Sequence, residues 1–317
     1  VRIVIDGSIS GFDNNGGTLT NFKSAEALAK LGHDVYCLAT KNAFTWFKLK
    51  HATYVSIRPP KADLTIATGW RSTKAVMESD SKKKLWWVRG WETWSAPKDK
   101  WTSLLKKFPN IIANSSGLAS RIESDTKRKC KVIFPGVDQE EYYPVNYMND
   151  FSVGALYSPS KSTKQMELTR KIVQELVKLG IKTYTFGTKK AVGFKSKHKI
   201  TPTVEDKRKI MNKCSVWIST STSEGMHIPP IEAGLCGCSL VVTSKPYGGT
   251  SDYAIHNDTA LVVSHDSNSF VEAVLSLKED STKREELASN LRKRLLEYIG
   301  TRETNMTKLI KIVKEIK

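Results

Sequence analysis

The sequence predicts an α/β protein of two doubly wound domains, each a parallel sheet covered by helices. Three observations lead there. Short apolar runs alternate with segments of helical spacing along the chain. That alternation breaks at Pro135-Gly136 and again over 142–146, then restarts. The 317 residues are also about twice the usual length of one domain. A composition of 39% hydrophobic and 26% charged residues with 11 prolines fits a globular chain and excludes disordered, collagen-like or disulfide-scaffold classes.

In the first half, residues 2–6, 35–39, 64–67, 85–88, 111–113 and 132–134 read as strands, because parallel strands buried on both faces are continuous apolar runs. Helices are expected over 18–31, where Leu19, Phe22, Ala25, Leu28 and Leu31 recur at helical spacing and Gly32 ends the run, and over 115–125. In the second half the strands are 151–154, 183–186, 216–219, 240–243 and 260–263. Their helices are 164–179, 205–213, 229–236, 268–277 and 283–298, and a basic amphipathic helix follows over 303–316.

Fifty Lys and Arg against 32 Asp and Glu give +18, which points to an anionic partner: a nucleotide, a nucleic acid or an acidic membrane surface. Residues 1–143 hold 23 basic and 14 acidic side chains and the remainder 27 and 18, so each half carries +9 and no basic tail explains the excess. The five cysteines are scattered, and Cys236 and Cys238 lack zinc spacing. No apolar run nears the roughly 18 residues a membrane span needs. A cytoplasmic protein is expected, peripheral at the membrane if it meets one.

The most specific stretch runs from Ser221 to Gly237. Glu224 and Glu232 stand eight positions apart, with Gly225 and Pro229 between them. The proline marks a helix start, and Glu232 is expected in the first turn, beside N–H groups and a dipole that favour an anion. A glutamate held there can accept hydrogen bonds from sugar hydroxyls. It can equally serve only its helix dipole, with Glu224 a solvated loop residue. Earlier, Gly16 and Gly17 precede the first helix, where missing side chains let backbone approach an anion. No G-x-G-x-x-G fingerprint with a following acidic residue accompanies them, which disfavours a dinucleotide site.

The Ser221–Gly237 stretch resembles the E-x7-E signature of retaining, nucleotide-sugar-dependent glycosyltransferases of the GT-B fold, in the large family usually numbered four. Ser115 with its following helix, residues 132–138, residues 151–154 and Gly248-Gly249 continue the likeness collinearly over almost the whole chain. The resemblance implies two Rossmann-like domains facing a central cleft: an acceptor-side domain over 1–143, a nucleotide-sugar-binding domain over 144–300, and a helix in 301–317 packing back toward the first. It implies that Glu232 binds the ribose hydroxyls and that Glu224 lies near the donor sugar. Gly225, Met226, His227 and Ile228 would form the loop whose N–H groups meet sugar hydroxyls and phosphate. Gly16 and Gly17 would lie near the donor phosphates, and Lys161 would neutralise the leaving diphosphate. Glu224 and Lys161 are then the catalytic candidates.

Three departures from the family pattern stand out. The family more often has an aromatic residue and a glycine where Met226 and His227 stand, so His227 is either a loop residue turned to solvent or an element of donor selectivity. The arginine usual after the glycine that ends the second domain's first strand is here Ala155, leaving Lys161, with Lys164 or another basic residue, to meet the diphosphate. Where the family often has a histidine after a first-domain strand, this chain has Arg89, Trp91 and Glu92, the acceptor-side candidates.

Five of the eight tryptophans fall between 86 and 101, among lysines, and three readings compete for them: core, an aromatic platform for an acceptor sugar or base, or an interfacial belt at a membrane. From Lys82 to Lys107 eight basic residues meet only Glu92 and Asp99, which makes the charge read as a statement about the acceptor or the surface it sits on. The expected activity is transfer of a sugar, with retention, from a nucleotide diphosphate sugar to a hydroxyl of a glycan or lipid-linked glycan. No cofactor or metal is expected, since the chain lacks an Asp-x-Asp signature. Glycosylation of a hydroxylated base in nucleic acid, or a non-catalytic binding module, is the alternative.

Overall fold

The computed structural model describes residues 1–7, 16–39, 47–59, 61–93, 95–145, 150–157, 165–191, 193, 195–243 and 247–316. The chain forms two compact units, residues 1–136 with 301–317, and residues 137–300.

The first unit contains β1 (Arg2–Asp6), α1 (Gly16–Lys30), β2 (Asp34–Leu38), β3 (Thr53–Val55), β4 (Leu64–Ala67), α2 (Thr73–Met77), β5 (Lys83–Val88), α3 (Lys98–Lys107), β6 (Ile111–Ala113), α4 (Ser116–Thr126) and β7 (Lys131–Val132). Its seven strands pair in the order β3-β2-β1-β4-β5-β6-β7, parallel throughout. The second unit contains β8 (Ser152–Leu156), α5 (Met166–Lys178), β9 (Lys182–Gly187), β10 (Lys197–Ile200), α6 (Val204–Met211), β11 (Val216–Ser219), β12 (Ser223–Glu224), α7 (Ile228–Leu235), β13 (Ser239–Thr243), β14 (Tyr247–Gly248), β15 (Leu261–Val263), α8 (Ser267–Glu279) and α9 (Ser281–Arg294). Its main sheet is ordered β10-β9-β8-β11-β13-β15, and β12 pairs with β14 apart from it. The last helix, α10 (Arg302–Glu315), belongs to the first unit.

Alternation along β5 sets the two faces of the first sheet. Trp87 enters a core with Ile3, Phe22 and Leu28, closed by Met306, Leu309 and Val313 of α10. Trp86 enters the opposite core with Trp101, Phe108, Leu118 and Ile122. Side chains of Trp86, Trp87, Trp91 and Trp101 are at most 6% exposed, so of the three readings of this cluster these four residues are core, and neither platform nor belt. Trp94 lies outside the described residues. The neighbouring lysines are tied down as well. Lys82 Nζ lies 2.8 Å from Asp63 Oδ1, Lys83 Nζ donates to the Val313 carbonyl at the end of α10, and Lys84 Nζ donates to the Met77 carbonyl.

Chain crossings and helix ends correct several expectations. Residues 137–143 belong to the second unit, where Tyr142 is fully buried, and not to the first domain. Gly136 has φ +85°, and a Cβ there would meet the Arg302 Cα at 2.4 Å, so only glycine lets the two chain passages run side by side. Leu31 lies past the end of α1 and is 40% exposed, not part of its buried stripe.

Candidate active site

In the second sheet the chain runs from β8 outward to β10, then restarts at β11 and proceeds the other way, so strand order reverses between β8 and β11. Open α/β sheets bind ligands beyond the C-terminal ends of the strands at such a point. The cleft there is lined by Leu156 at the end of β8, Met166 and Thr169 of α5, Ser219 and Thr220 at the end of β11, and His227 and Pro229 at the start of α7.

The loop that carries Glu224 is braced by the segment after β13. Glu224 pairs in register with Gly248, and the Gly249 N–H donates to the Gly225 carbonyl at 2.7 Å. Gly248 has φ +95°, and a Cβ would fall 1.6 Å from the Glu224 carbonyl oxygen, so no other residue permits this approach. The Glu224 carboxylate accepts a hydrogen bond from Ser221 Oγ at 2.9 Å and lies 3.8 Å from His227 Nε2. Met226 is buried beneath Gly249. His227 is 3% exposed, its ring held between Ser219 Oγ at 3.2 Å and Thr250 Oγ1 at 3.4 Å. The Tyr253 hydroxyl donates to the His227 carbonyl at 2.9 Å. His227 is thus an internal strut of the loop and does not point to solvent.

Glu232 departs from its expected place in the helix. Because α7 starts at Ile228, before both prolines, Glu232 is in the second turn, past the free N–H groups of the first. It is 6% exposed and holds its charge by pairing: Lys207 Nζ donates to both carboxylate oxygens, at 3.0 and 3.2 Å. Lys207 is carried by α6, whose start is fixed by a capping box between Thr203 and Asp206. Its ammonium also sits 5.1 Å from the centre of the Tyr142 ring. Burial first, then the Glu232 charge, push the Tyr142 phenol far above its usual pKa. Each carboxylate oxygen accepts about two hydrogen bonds, so the Lys207 contact leaves acceptor capacity for a diol. No sequence motif marks Lys207, which is 25 positions from its partner.

Other expected residues fall elsewhere. Lys161 and Lys164 lie outside the described residues. Ala155 is inside β8 and 1% exposed in the apolar core, because the strand continues past Gly154; an arginine has no room there. Gly16 and Gly17 are the first two residues of α1, not the loop before it, and a Cβ on Gly16 would meet open space.

In the first unit, Arg89 follows β5, with its guanidinium 4.1 Å from the centre of the Trp87 ring. Trp91 packs edge-on against Trp101 at 5.7 Å and is covered by Arg121. Glu92 accepts from the Trp70 backbone N–H at 3.4 Å. Burial pushes its carboxyl up to about 7, against the opposing pull of that N–H and of Arg71.

Residues 181–294 match the family model described as glycosyl transferases group 1. No curated protein matches the chain by sequence. Among solved structures, sucrose-phosphate synthase from Thermosynechococcus elongatus superposes with a TM-score of 0.80 at 14% identity, covering 99% of this chain and 98% of that one. Anabaena HepE in complex with UDP and glucose gives 0.78 at 16% identity over 99% of each chain. TarM of S. aureus, in complex with fondaparinux, alpha-GlcNAc-glycerol and UDP, gives 0.63 at 17% identity over 79% of this chain and 55% of that one. The chain has the GT-B fold of two Rossmann-like units.

Proposed function

We propose that the chain, with its GT-B fold and a glycosyl transferases group 1 region over 181–294, is a glycosyltransferase that moves a sugar from a nucleotide diphosphate sugar to a hydroxyl of a glycan acceptor, with retention of configuration. The observation that carries the reading is Glu232: a carboxylate 6% exposed, fixed by Lys207 and with spare acceptor capacity, on the helix that borders the strand-order reversal. Such a group suits the paired hydroxyls of a ribose. The braced loop from Glu224 to His227 suits the donor sugar and its phosphates, through backbone N–H groups that need no reorganisation as charge develops on the leaving diphosphate. Glu224 orients the sugar, and Lys161 meets the diphosphate. Retention follows in this reading from departure of the diphosphate and attack by the acceptor on the same face. HepE with UDP and with UDP-glucose supports a uridine nucleotide as the first donor to try. With four tryptophans in the core, the +18 charge loses the aromatic surface that made a membrane or nucleic-acid acceptor attractive.

A panel of nucleotide sugars, screened for release of nucleoside diphosphate and followed by the anomeric configuration of the product, tests the reading. One donor is expected to turn over with retention, and Glu232→Ala to lose at least tenfold in kcat/KM. Full turnover in Glu232→Ala, or an inverted product, overturns it.

A further inference from the structure

A buried ion pair adds little to stability, because drying both ions offsets most of their attraction, and well-packed apolar side chains in their place are often as stable. The pair between Lys207 and Glu232 therefore asks for a second reason. Its side chains are 15% and 7% exposed, and the ammonium donates to both carboxylate oxygens, at 3.0 and 3.2 Å. An ammonium has three donors and no acceptor. Two go to Glu232, and no hydrogen bond among the described residues takes the third. The fully buried Tyr142 offers the ammonium the face of its ring, 5.1 Å away, which uses no donor.

The place of the pair matters as much as its chemistry. Helix α6 follows β10 and α7 follows β11 through the Glu224 loop, so both begin at the C-terminal edge of the parallel second sheet, with Lys207 and Glu232 in their first two turns. That is the edge at which open sheets take ligands. A ribose hydroxyl both donates and accepts. Glu232 can take the hydrogens of the diol, yet it offers the diol's oxygens nothing. In so dry a site an oxygen left without a donor costs affinity. Lys207 holds that donor within hydrogen-bonding distance of the same carboxylate.

We propose that Lys207 is itself a ribose contact: its third N–H donates to a hydroxyl oxygen of the diol whose hydrogens Glu232 accepts, and the two residues together select a ribonucleotide over its deoxy analogues. A site built to pair a hydroxyl in both directions rejects the analogue that lacks it, because its own buried groups are then left unpaired. The inference rests on the ribose reading of Glu232 and adds to it a second, specificity-determining residue.

The test is calorimetric binding to the full chain. UDP, GDP and ADP are titrated first, and the tightest is compared with its analogues carrying hydrogen or fluorine in place of the 2′- or the 3′-hydroxyl. Wild type is expected to bind the ribonucleotide at least about tenfold more tightly than a deoxy analogue. Fluorine accepts weakly from an ammonium, gives nothing to a carboxylate and is repelled by it. At the hydroxyl that Lys207 meets, the fluoro analogue is therefore expected to bind more tightly than the deoxy one, and that gain to vanish in Lys207→Met. Fluoro analogues no tighter than deoxy at either position overturn the proposal on the wild-type protein alone, with no variant's folding in question. Lys207→Met, its fold checked by circular dichroism, is expected to lose most of the preference for the ribonucleotide, and Glu232→Gln to keep part of it, since Lys207 still donates. A Lys207 that only holds Glu232 in place gives another pattern: the preference is gone in Glu232→Gln, and adding Lys207→Met changes nothing further. That pattern, or a preference unchanged in Lys207→Met, overturns the proposal and leaves the ribose reading of Glu232 standing. Failure of that reading looks different. Wild type that binds the nucleotide and its deoxy analogues equally takes the ribose away from Glu232 and Lys207 alike, and a chain that binds none of the three diphosphates sinks the donor reading with them.

Discussion

Replacing Lys207 by methionine isolates the interaction that holds Glu232. The two side chains are 15% and 7% exposed and meet at 3.0 Å. At that distance, with an effective dielectric of about 20, the Coulomb attraction is about 5 kcal/mol, most of it offset in the folded protein by desolvation of both ions. Removing one partner leaves the other buried and uncompensated, which costs about 3 kcal/mol. Lys207→Met fills the same volume and keeps contact with Tyr142, so packing loss is small. Expected in urea unfolding followed by circular dichroism is a destabilisation of about 3 kcal/mol at pH 8 for Lys207→Met, and a similar loss for Glu232→Gln. Lys207→Met with Glu232→Gln lies within about 1 kcal/mol of wild type, giving a coupling of several kcal/mol in the double-mutant cycle. Hydrogen exchange over α6 and α7 localises the effect to the second unit. Single variants that each cost less than about 1 kcal/mol, or a double variant that costs their sum, refute the reasoning.

Two further outcomes follow from groups already placed. With its carboxyl raised to about 7 in the fold, Glu92 contributes stability that is complete below its ordinary pKa and is lost as pH rises through about 7. Glu92→Gln should therefore match wild type at about pH 4 and exceed it at pH 8.5, by up to about 3 kcal/mol in urea unfolding; equal pH slopes for the two proteins refute it. Gly248→Ala pushes a methyl into the Glu224 carbonyl and moves the whole Glu224–His227 loop. Nucleotide-sugar turnover is expected to fall at least tenfold with the fold intact by circular dichroism, and unchanged turnover would count against that loop.

Interior strands were readable from the sequence because burial on both faces makes them unbroken apolar runs, as in β1, β5 and β13. The edge strands β3 and β10 were not. β10 reads Lys-His-Lys-Ile and is mostly exposed, and β3 is a three-residue edge, so neither carries an apolar signal. Helix α3 was hidden by the same lysines and tryptophans that drew attention as a surface, although Trp101 and Leu105 are its buried stripe. At the site, Glu224 and Glu232 were visible because their spacing is local, but Lys207 was not, since the fold alone brings α6 to α7. Glu232 falls one turn later than its prolines suggest, because prolines are tolerated throughout a helix's first turn and so do not fix its first residue. Nothing local in the sequence signals that the buried Nε of Arg89 lacks a hydrogen-bond partner among the described residues.

The return of α10 to the first unit sets an order of events for a chain emerging from the ribosome. Met306, Leu309, Ile310 and Val313 cover the apolar face shared by α1 and the first sheet, yet they are synthesised only after all of 137–300. Until then the earlier-made unit presents that face uncovered. The first unit therefore reaches its finished, less adhesive state only when the far end of the chain arrives to cover it.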